Sequence, residues 1–299
     1  MSEDHLSSSS PSFRIRLFFS PHESRLRAGW RLAGHFVLLL SLYLLFGVAV
    51  SGWVDFTSIT LEKLLLLRVA VEFPAVTLSV YLARRWFDRR SFVSLGLQWR
   101  GQAVRELGFG FALAGLMMGL IFLLEWAMGW MQFRGYFWEE ASALRMVQPT
   151  LIAFALFVLV GWQEELICRG YYLQNLVEGL NLPWGLAISS AFFALAHLLN
   201  PHFSLMALVG LFASGILLAY GYLRTRRLWL PIGLHIGWNF FEGTVFGFPV
   251  SGMDFFTLIQ QKVNGPQIFT GGTFGPEAGL ILIPSLLLGV VLIYRYTRK

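Results

Sequence analysis

Apolar and polar residues follow one another along this chain in long blocks, and the apolar blocks have the length of membrane-spanning helices. About eight of them approach the ~20 residues that a helix needs to cross the hydrocarbon core of a bilayer. The pattern therefore predicts an all-α, polytopic membrane protein with about eight transmembrane helices. The predicted spans are 32–53, 64–83, 107–131, 150–177, 183–200, 203–223, 228–247 and 278–296.

The polar segments between and before these blocks predict the ends and loops. Residues 1–12 are rich in serine, which is typical of a disordered tail. The rest of 1–30 mixes arginine with Phe and Leu, which indicates a segment lying on the cytoplasmic membrane surface. The membrane-embedded domain then covers 31–299. The longest loop, 248–277, is rich in glycine and predicts a flexible connector.

Arginine clusters flank the apolar blocks and orient them in the membrane. An even number of spans with both termini in the cytoplasm places every cluster on the cytoplasmic side, as the positive-inside rule requires. We therefore expect an integral membrane protein with both termini in the cytoplasm. The compact size favours a prokaryotic plasma membrane as its location. The clusters are Arg25, Arg27 and Arg31; Arg84, Arg85, Arg89, Arg90, Arg100 and Arg105; Arg224, Arg226 and Arg227; and Arg295, Arg298 and Lys299.

Composition narrows the classes of function. Hydrophobic residues make up 56% of the chain and charged residues 13%, against roughly 25% charged in a soluble domain. The net charge of +6 resides in the arginines that flank the spans, so we expect no nucleic-acid partner. The single cysteine, Cys168, excludes an intramolecular disulfide and a zinc site built from cysteines.

Three charged residues stand together inside the fourth predicted span, at Glu164, Glu165 and Arg169. An ionised side chain at bilayer depth costs roughly 2.5–3.5 kcal/mol on insertion scales, so such a group indicates function or helix association. The i, i+4 spacing predicts an ion pair between Glu165 and Arg169. Glu164 lies ~100° around the helix from Glu165 and is left unpaired. An unpaired buried carboxylate suits a general base.

Depth links Glu164 to His197 in the next predicted span. Glu164 lies fourteen residues before Glu178, and His197 lies fourteen residues after Pro183, at the two sides of one turn. Both residues are therefore ~21 Å from that turn on neighbouring antiparallel helices. They are at matching depth and can meet.

His235 and Asn239 line one face of the seventh predicted helix at spacing i, i+4. Together they offer two donors to an oxyanion. The same rise places His235 only ~12 Å from the Arg227 end of its helix, which is shallower than Glu164. A tilt, a kink near Pro231 or a different helix start would be needed to bring them together.

Other intramembrane polar residues predict structural roles. Arg68 and Glu72, again at i, i+4, indicate a paired couple in the second span. Glu125 lies near the outer end of the third span and is expected to reach the membrane interface. Glu242 follows Asn239 on nearly the same face and is a weaker candidate for the site.

Three motifs in these spans resemble those of a known family. Glu164-Glu-x-x-x-Arg169, Phe193-x-x-x-His197 and His235-x-x-x-Asn239 occur in this order on successive predicted helices. This is similar to the CPBP (CAAX protease and bacteriocin-processing, or Abi) family, which includes the type II CAAX prenyl endopeptidases. The resemblance covers approximately residues 150–246.

The resemblance implies an intramembrane peptidase whose helices surround a polar cavity open to the cytoplasm. In such an enzyme Glu164 and His197 would activate a water molecule. His235 and Asn239 would stabilise the oxyanion, with Glu165 and Arg169 supporting the site from behind. The family is described both as metalloproteases and as glutamate-dependent enzymes. The cofactor is therefore either none or one Zn²⁺ held by Glu164, His197 and His235, and we favour the metal-free form.

The expected substrate is a membrane-associated peptide or protein, such as a bacteriocin precursor or a membrane-anchored regulator. Nothing in the chain specifies a prenylated tail, and nothing predicts the oligomeric state. One alternative is a non-catalytic immunity or partner-stabilising membrane protein with the same motifs. Another is a proton-coupled or ion transporter in which Glu164 is the coupling site, although the chain shows no internal repeat.

Overall fold

The computed structural model describes residues 18–19, 25–52, 61–140 and 143–298. The predicted disordered tail, 1–12, lies outside the described residues, as does most of the predicted interfacial segment. The described part of the chain is mostly helical, as the apolar blocks predict.

Long helices make up most of this part of the chain, and we number them α1 to α8. Two of them, α4 and α7, change from α- to π-helix along their length. In chain order they are α1 (Ala28–Ser51), α2 (Leu61–Trp86), α3 (Gly101–Ala127), α4 (Ala143–Glu165, then π-helix Leu166–Tyr172 and α-helix Leu173–Gly179), α5 (Leu182–Leu195), α6 (Leu205–Thr225), α7 (Trp229–Asn239, then π-helix Phe240–Val245) and α8 (Leu282–Thr297). The other elements are the strands β1 (Met131–Tyr136) and β2 (Ile259–Val263) and helical turns at Phe92–Leu95, Phe137–Glu140, Gln267–Thr270, Gly272–Phe274 and Pro276–Ala278.

Membrane-spanning length is reached in five of the described helices. These are Ala28–Ser51, Leu66–Trp86, Gly101–Ala127, Leu144–Gly179 and Leu205–Thr225. The helices α5 and α8 are apolar but have only 14 and 16 residues. The structure confirms a helical membrane protein, with fewer helices of spanning length than the about eight spans expected.

Most of the apolar side chains of α1 are exposed at the surface of the molecule. Only 6% of its most apolar stretch is buried, and Leu44 and Val48 are 59% and 73% exposed. An apolar surface of this kind is unfavourable in water. Lipid chains, in contrast, are as apolar as these side chains and cover them readily.

The α-helical part of α7, Trp229–Asn239, is completely buried and packs directly on α3. A Cβ atom added at Gly233 would lie 2.2 Å from the Leu107 carbonyl oxygen, and one at Gly237 would lie 2.8 Å from that of Phe111. Small residues four apart allow two helix backbones to approach in this way. His235 is two residues, or ~200°, from both glycines, so it faces away from α3.

The structure brings His235 to Glu164, although residue counts along the two helices predict a shallower position for His235. His235 Nε2 lies 3.7 Å from Glu164 Oε2. The helix begins at Trp229, so Pro231 lies in its first turn. A proline fits there without kinking the helix.

The segment 248–277 is folded against the helices, so the prediction of a flexible connector was wrong. Its strand β2 pairs antiparallel with β1, with Met131 opposite Val263 and Tyr136 opposite Ile259. Gly252 and Gly275, with φ of +85° and +102°, adopt left-handed conformations that glycine accepts without strain. These conformations let the segment turn back toward the helices instead of extending away from them.

Candidate active site

The helix α4 changes from α- to π-conformation directly after Glu165. The wider π-helical stretch spans Leu166–Tyr172, and all of its residues are buried. Short π-helical stretches inside α-helices occur frequently at functional sites. Here the change falls between Glu165 and Arg169, within the first of the three sequence motifs.

Glu165 and Arg169 form a fully buried ion pair. Arg169 Nη1 donates to Glu165 Oε1 at 2.6 Å, and Nη2 donates to the Gly215 carbonyl on α6 at 3.1 Å. The guanidinium carbon of Arg169 also lies 4.4 Å from the ring centroid of Phe193 on α5. A buried charge of this kind is tolerated when it is paired and hydrogen-bonded. The pair therefore ties α4 to α5 and α6.

His235 binds the same carboxylate oxygen of Glu165. Its Nδ1 lies 2.8 Å from Glu165 Oε1. An ionised carboxylate only accepts hydrogen bonds, so Nδ1 carries the proton and donates it. The other ring nitrogen, Nε2, lies 3.7 Å from Glu164 Oε2. Glu165 thus orients His235 toward Glu164, a role additional to its pairing with Arg169.

His197 lies beyond the end of α5, in a turn. The predicted span 183–200 was too long here, because the helix ends at Leu195. The His197 Nδ1 is 2.9 Å from the Phe193 carbonyl oxygen, which can only accept, so Nδ1 again carries the proton. Its Nε2 lies 4.0 Å from Glu164 Oε2.

Glu164 is the point on which the two histidines converge. Its Oε2 is buried and has no hydrogen-bond partner among the described residues. The distances of 3.7 and 4.0 Å to the imidazole nitrogens are too long for direct hydrogen bonds. They are short enough for one water molecule to contact the carboxylate and an imidazole together.

A cavity of about 330 Å³ opens over these groups. Glu164, His197, His235 and Asn239 all line it. Its remaining wall is largely apolar and comes from several helices and the segment before α8. Apolar lining residues include Leu39 of α1, Val69 and Val76 of α2, Phe157 and Val160 of α4, Phe192 of α5, Leu217 of α6 and Leu286 of α8.

Ser251 and Glu277 are among the polar residues of this cavity that were missed in the sequence analysis. Both belong to the segment expected to be a connector, and both are nearly fully buried. Ser251 Oγ donates to Glu277 Oε2 at 2.5 Å. Burial raises the pKa of Glu277 above its ordinary value, against the opposing effects of that hydrogen bond and of His197 and His235. The only local signal was the run of glycines around Glu277.

Glu125 and Glu242 are both fully buried, and neither lies where the sequence analysis placed it. Glu125 does not reach the membrane interface; it is fully buried, and neither carboxylate oxygen has a hydrogen-bond partner among the described residues. Packing between α3 and its neighbours encloses it before the helix ends. Glu242 is also fully buried and does not line the cavity.

A paired couple lies at the side of the cavity formed by α2. Arg68 Nε donates to Glu72 Oε1 at 2.8 Å, in agreement with the i, i+4 spacing. Glu72 Oε2 also accepts from Gln163 Nε2 at 3.0 Å, directly before Glu164 on α4. The couple therefore connects α2 to the helix that carries the site.

Glu164, His197 and His235 could supply the ligands of a metal ion, but their donor atoms lie slightly farther apart than in a zinc site. A tetrahedral zinc ion with ligands at 2.0–2.1 Å separates its donor atoms by roughly 3.3–3.4 Å. The distances from Glu164 Oε2 to His235 Nε2 and His197 Nε2 are 3.7 and 4.0 Å. Among the described residues no three His, Cys, Asp or Glu side chains are grouped closely enough to hold a metal ion.

Comparison with known families agrees with the motifs. The family model described as "Type II CAAX prenyl endopeptidase Rce1-like" matches residues 146–241. This range contains Glu164, His197, His235 and Asn239. The family resemblance seen in the sequence is thereby confirmed for this part of the chain. The searches of the curated proteins and of the solved structures gave no significant match.

Proposed function

We propose, from the Rce1-like type II CAAX prenyl endopeptidase domain at residues 146–241, that the chain is an intramembrane endopeptidase. It hydrolyses a peptide bond of a membrane-associated protein or peptide. The observation that carries this proposal is the position of Glu164 Oε2, which is buried, unpartnered and faced by the Nε2 atoms of His197 and His235. A carboxylate and an imidazole on one water molecule form a general-base site.

Glu164 and His197 activate the water in this mechanism. His197 donates its Nδ1–H to the Phe193 carbonyl, so the neutral ring presents the lone pair of Nε2 toward Glu164. The water loses a proton to Glu164, and its oxygen attacks the scissile carbonyl carbon. Glu164 then passes that proton to the leaving amine nitrogen as the C–N bond breaks.

His235 and Asn239 stabilise the oxyanion that forms during the attack. The Asn239 amide donates one hydrogen bond. His235 donates the second from Nε2 when its ring carries both protons. The carboxylates of Glu165 and Glu164, at 2.8 and 3.7 Å, stabilise that imidazolium. Arg169 in turn holds Glu165 in place.

Zinc is the alternative to this metal-free mechanism. Glu164, His197 and His235 are the residues that would hold the ion, which would supply a polarised water molecule. Both histidines have Nδ1 bound to an acceptor, as metal-ligating histidines usually do. The wider spacing of the three donor groups favours the metal-free form.

The proposal extends to the arrangement in the membrane. We place both termini in the cytoplasm, with α5, α7 and α8 completing about eight helices around the cavity. The supporting observation is an arginine-rich network at one end of the molecule. There Arg31 binds Asp88 and Glu178, Arg84 binds Asp88, and Arg90 binds Glu178. The start of α1 and the ends of α2 and α4 meet at this network.

Identification of the cleaved bond tests the proposal. Membranes containing the wild-type protein or Glu164→Gln are compared by mass spectrometry of newly formed peptide termini. We expect termini that require wild-type protein and disappear in Glu164→Gln and His197→Asn. His202→Asn is the matched control, because His202 is exposed, lies outside the cavity and has a φ of +59° that asparagine accepts. Identical termini in wild type and Glu164→Gln would show a non-catalytic membrane protein.

A further inference from the structure

A chain of hydrogen bonds runs from Glu277 to the backbone of His197. Ser251 Oγ donates to Glu277 Oε2 at 2.5 Å, and Asn200 Nδ2 donates to the Ser251 carbonyl at 3.0 Å. The backbone N–H of Asn200 then donates to the His197 carbonyl at 2.9 Å. We call Asn200, Ser251 and Glu277 the His197 clamp. It connects the segment before α8 to the turn after α5.

Both ends of the clamp are fixed by close backbone packing. A Cβ atom at Gly210 of α6 would lie only 1.8 Å from the Glu277 carbonyl oxygen, so α6 packs directly on that backbone. A Cβ atom at Gly252 would lie 2.0 Å from the Pro201 carbonyl oxygen. The Gly252 N–H also donates to the Phe274 carbonyl at 2.8 Å. The turn at Ser251 is therefore held between the His197 turn and the Glu277 segment.

Ser251 is held in an uncommon backbone conformation. Its φ is +47°, in the left-handed region that residues with a side chain seldom adopt. Such a conformation persists only where the surrounding contacts fix it, and it is found most often near functional sites. The contacts here are the bonds of its hydroxyl to Glu277 and of its carbonyl to Asn200.

We propose that Glu277 is a positioning residue that holds His197 in place through Ser251 and Asn200. This inference rests on the proposed function, in which His197 Nε2 and Glu164 share the attacking water. His197 lies past the last residue of α5, and its backbone N–H bonds the Ala194 carbonyl, three residues back, at 3.2 Å instead of continuing the regular i→i−4 pattern. The clamp supports this turn from a segment about eighty residues further along the chain.

Kinetics of clamp variants test the proposal. The substrate is a quenched fluorescent peptide spanning the cleavage site mapped in the membrane experiment. We expect Glu277→Ala to lower kcat about 10- to 100-fold, the usual effect of removing a supporting hydrogen bond, with little change in KM. Glu277→Gln keeps an oxygen that accepts from Ser251, so kcat stays within about threefold. Equal loss in Glu277→Gln and Glu277→Ala would overturn the proposal, because the charge itself would then be required.

A second variant separates the clamp from general damage. Ser251→Gly removes the hydroxyl and relieves the positive φ, so it breaks the bond to Glu277 without new strain. We expect about the same loss as in Glu277→Ala, and no further loss when the two are combined, because they remove one interaction. A double variant whose kcat falls by the product of the two single losses would contradict the clamp. The matched control is Glu125→Ala, a buried glutamate outside the cavity that leaves kcat unchanged.

Hydrogen exchange gives a test that does not depend on cleavage. In purified protein, Glu277→Ala and Ser251→Gly should speed amide exchange at least about tenfold in residues 196–203, with the helices unaffected. Unchanged exchange in that turn would overturn the proposal even if the protein has no peptidase activity. Wild-type kcat in Glu277→Ala, with Glu164→Gln inactive, would reject the clamp while leaving the proposed function intact.

Discussion

His235 and His197 face the same oxygen of Glu164 from two different kinds of backbone. His235 lies on the α-helical part of α7, which is completely buried, and a charged residue orients its ring. His197 lies in a turn beyond α5, and a backbone carbonyl orients its ring. The backbone hydrogen bonds of a helix fix the position of each residue on it. The position of a residue in a turn depends more on the contacts that other segments make with that turn. The two halves of the site should therefore respond differently to substitution.

Loss of Arg169 should have the largest effect, because it supports the half of the site that contains His235. Arg169→Met leaves Glu165 buried with its charge partly unpaired, which costs about 3–5 kcal/mol of stability. The thermal unfolding temperature in detergent measures this loss. Arg224→Met is the matched control, because Arg224 is exposed at the end of α6, and it should change stability by less than about 1 kcal/mol. Equal decreases in unfolding temperature in Arg169→Met and Arg224→Met would contradict a stabilising buried ion pair at Arg169.

A methyl group between α7 and α3 should have the next largest effect. Gly233→Ala places its Cβ 2.2 Å from the Leu107 carbonyl oxygen, so the helices must separate. We expect a loss of about 1–3 kcal/mol, and about 100-fold lower kcat if His235 moves by 1 Å. Gly108→Ala on α3 is the control, because no atom lies within 4 Å of its added Cβ. Wild-type stability and kcat in Gly233→Ala would show that the site does not need the close contact between α7 and α3.

Substitutions that loosen the His197 half of the site should lower kcat with little loss of stability. Asn200→Ala removes one side-chain hydrogen bond to the Ser251 carbonyl, worth about 0.5–1.5 kcal/mol, and loosens the His197 turn. We expect kcat to fall about tenfold. Asn175→Ala removes a similar bond, to the Tyr171 carbonyl, at the far end of α4. Asn175→Ala should lower the stability as much as Asn200→Ala does, but leave kcat unchanged. Equal kcat in the two variants would contradict the view that the His197 half of the site depends on contacts with its turn.

Chelation should have the smallest effect. In the metal-free mechanism the water is held by Glu164 and His197, so prolonged treatment with a zinc chelator leaves kcat unchanged. Metal analysis of the active protein should then find far less than one zinc per chain. Loss of activity on chelation, with recovery on adding zinc, would instead establish Glu164, His197 and His235 as ligands.

The contacts of Glu165 with Arg169 and of Glu164 with His197 follow from local rules of the sequence. The i, i+4 spacing of Glu165 and Arg169 places them in contact, and the residue count from one turn places Glu164 and His197 at one depth. The depth of His235 could not be obtained in this way. It depends on how α7 packs on α3, and Gly233-x-x-x-Gly237 was the sequence signal for that contact.

The turn and the long segment could not be predicted from local rules. The end of α5 at Leu195 leaves His197 outside the helix, although its apolar pattern continues to residue 200. The partners of Ser251 are Asn200 and Glu277, which are 51 and 26 residues away. Contacts over such distances leave no periodic pattern in the sequence, and the glycines that permit them also occur in flexible loops.

The most direct test of the site is a double-mutant cycle on Glu164 and His197. Cleavage of the mapped peptide is measured under single-turnover conditions for the wild type, Glu164→Gln, His197→Asn and the double variant. Because both side chains act on one water, we expect each single variant to lose at least about 10³-fold and the double variant to lose no more. Losses that multiply in the double variant, or activity that survives in either single variant, would contradict a shared water between Glu164 and His197.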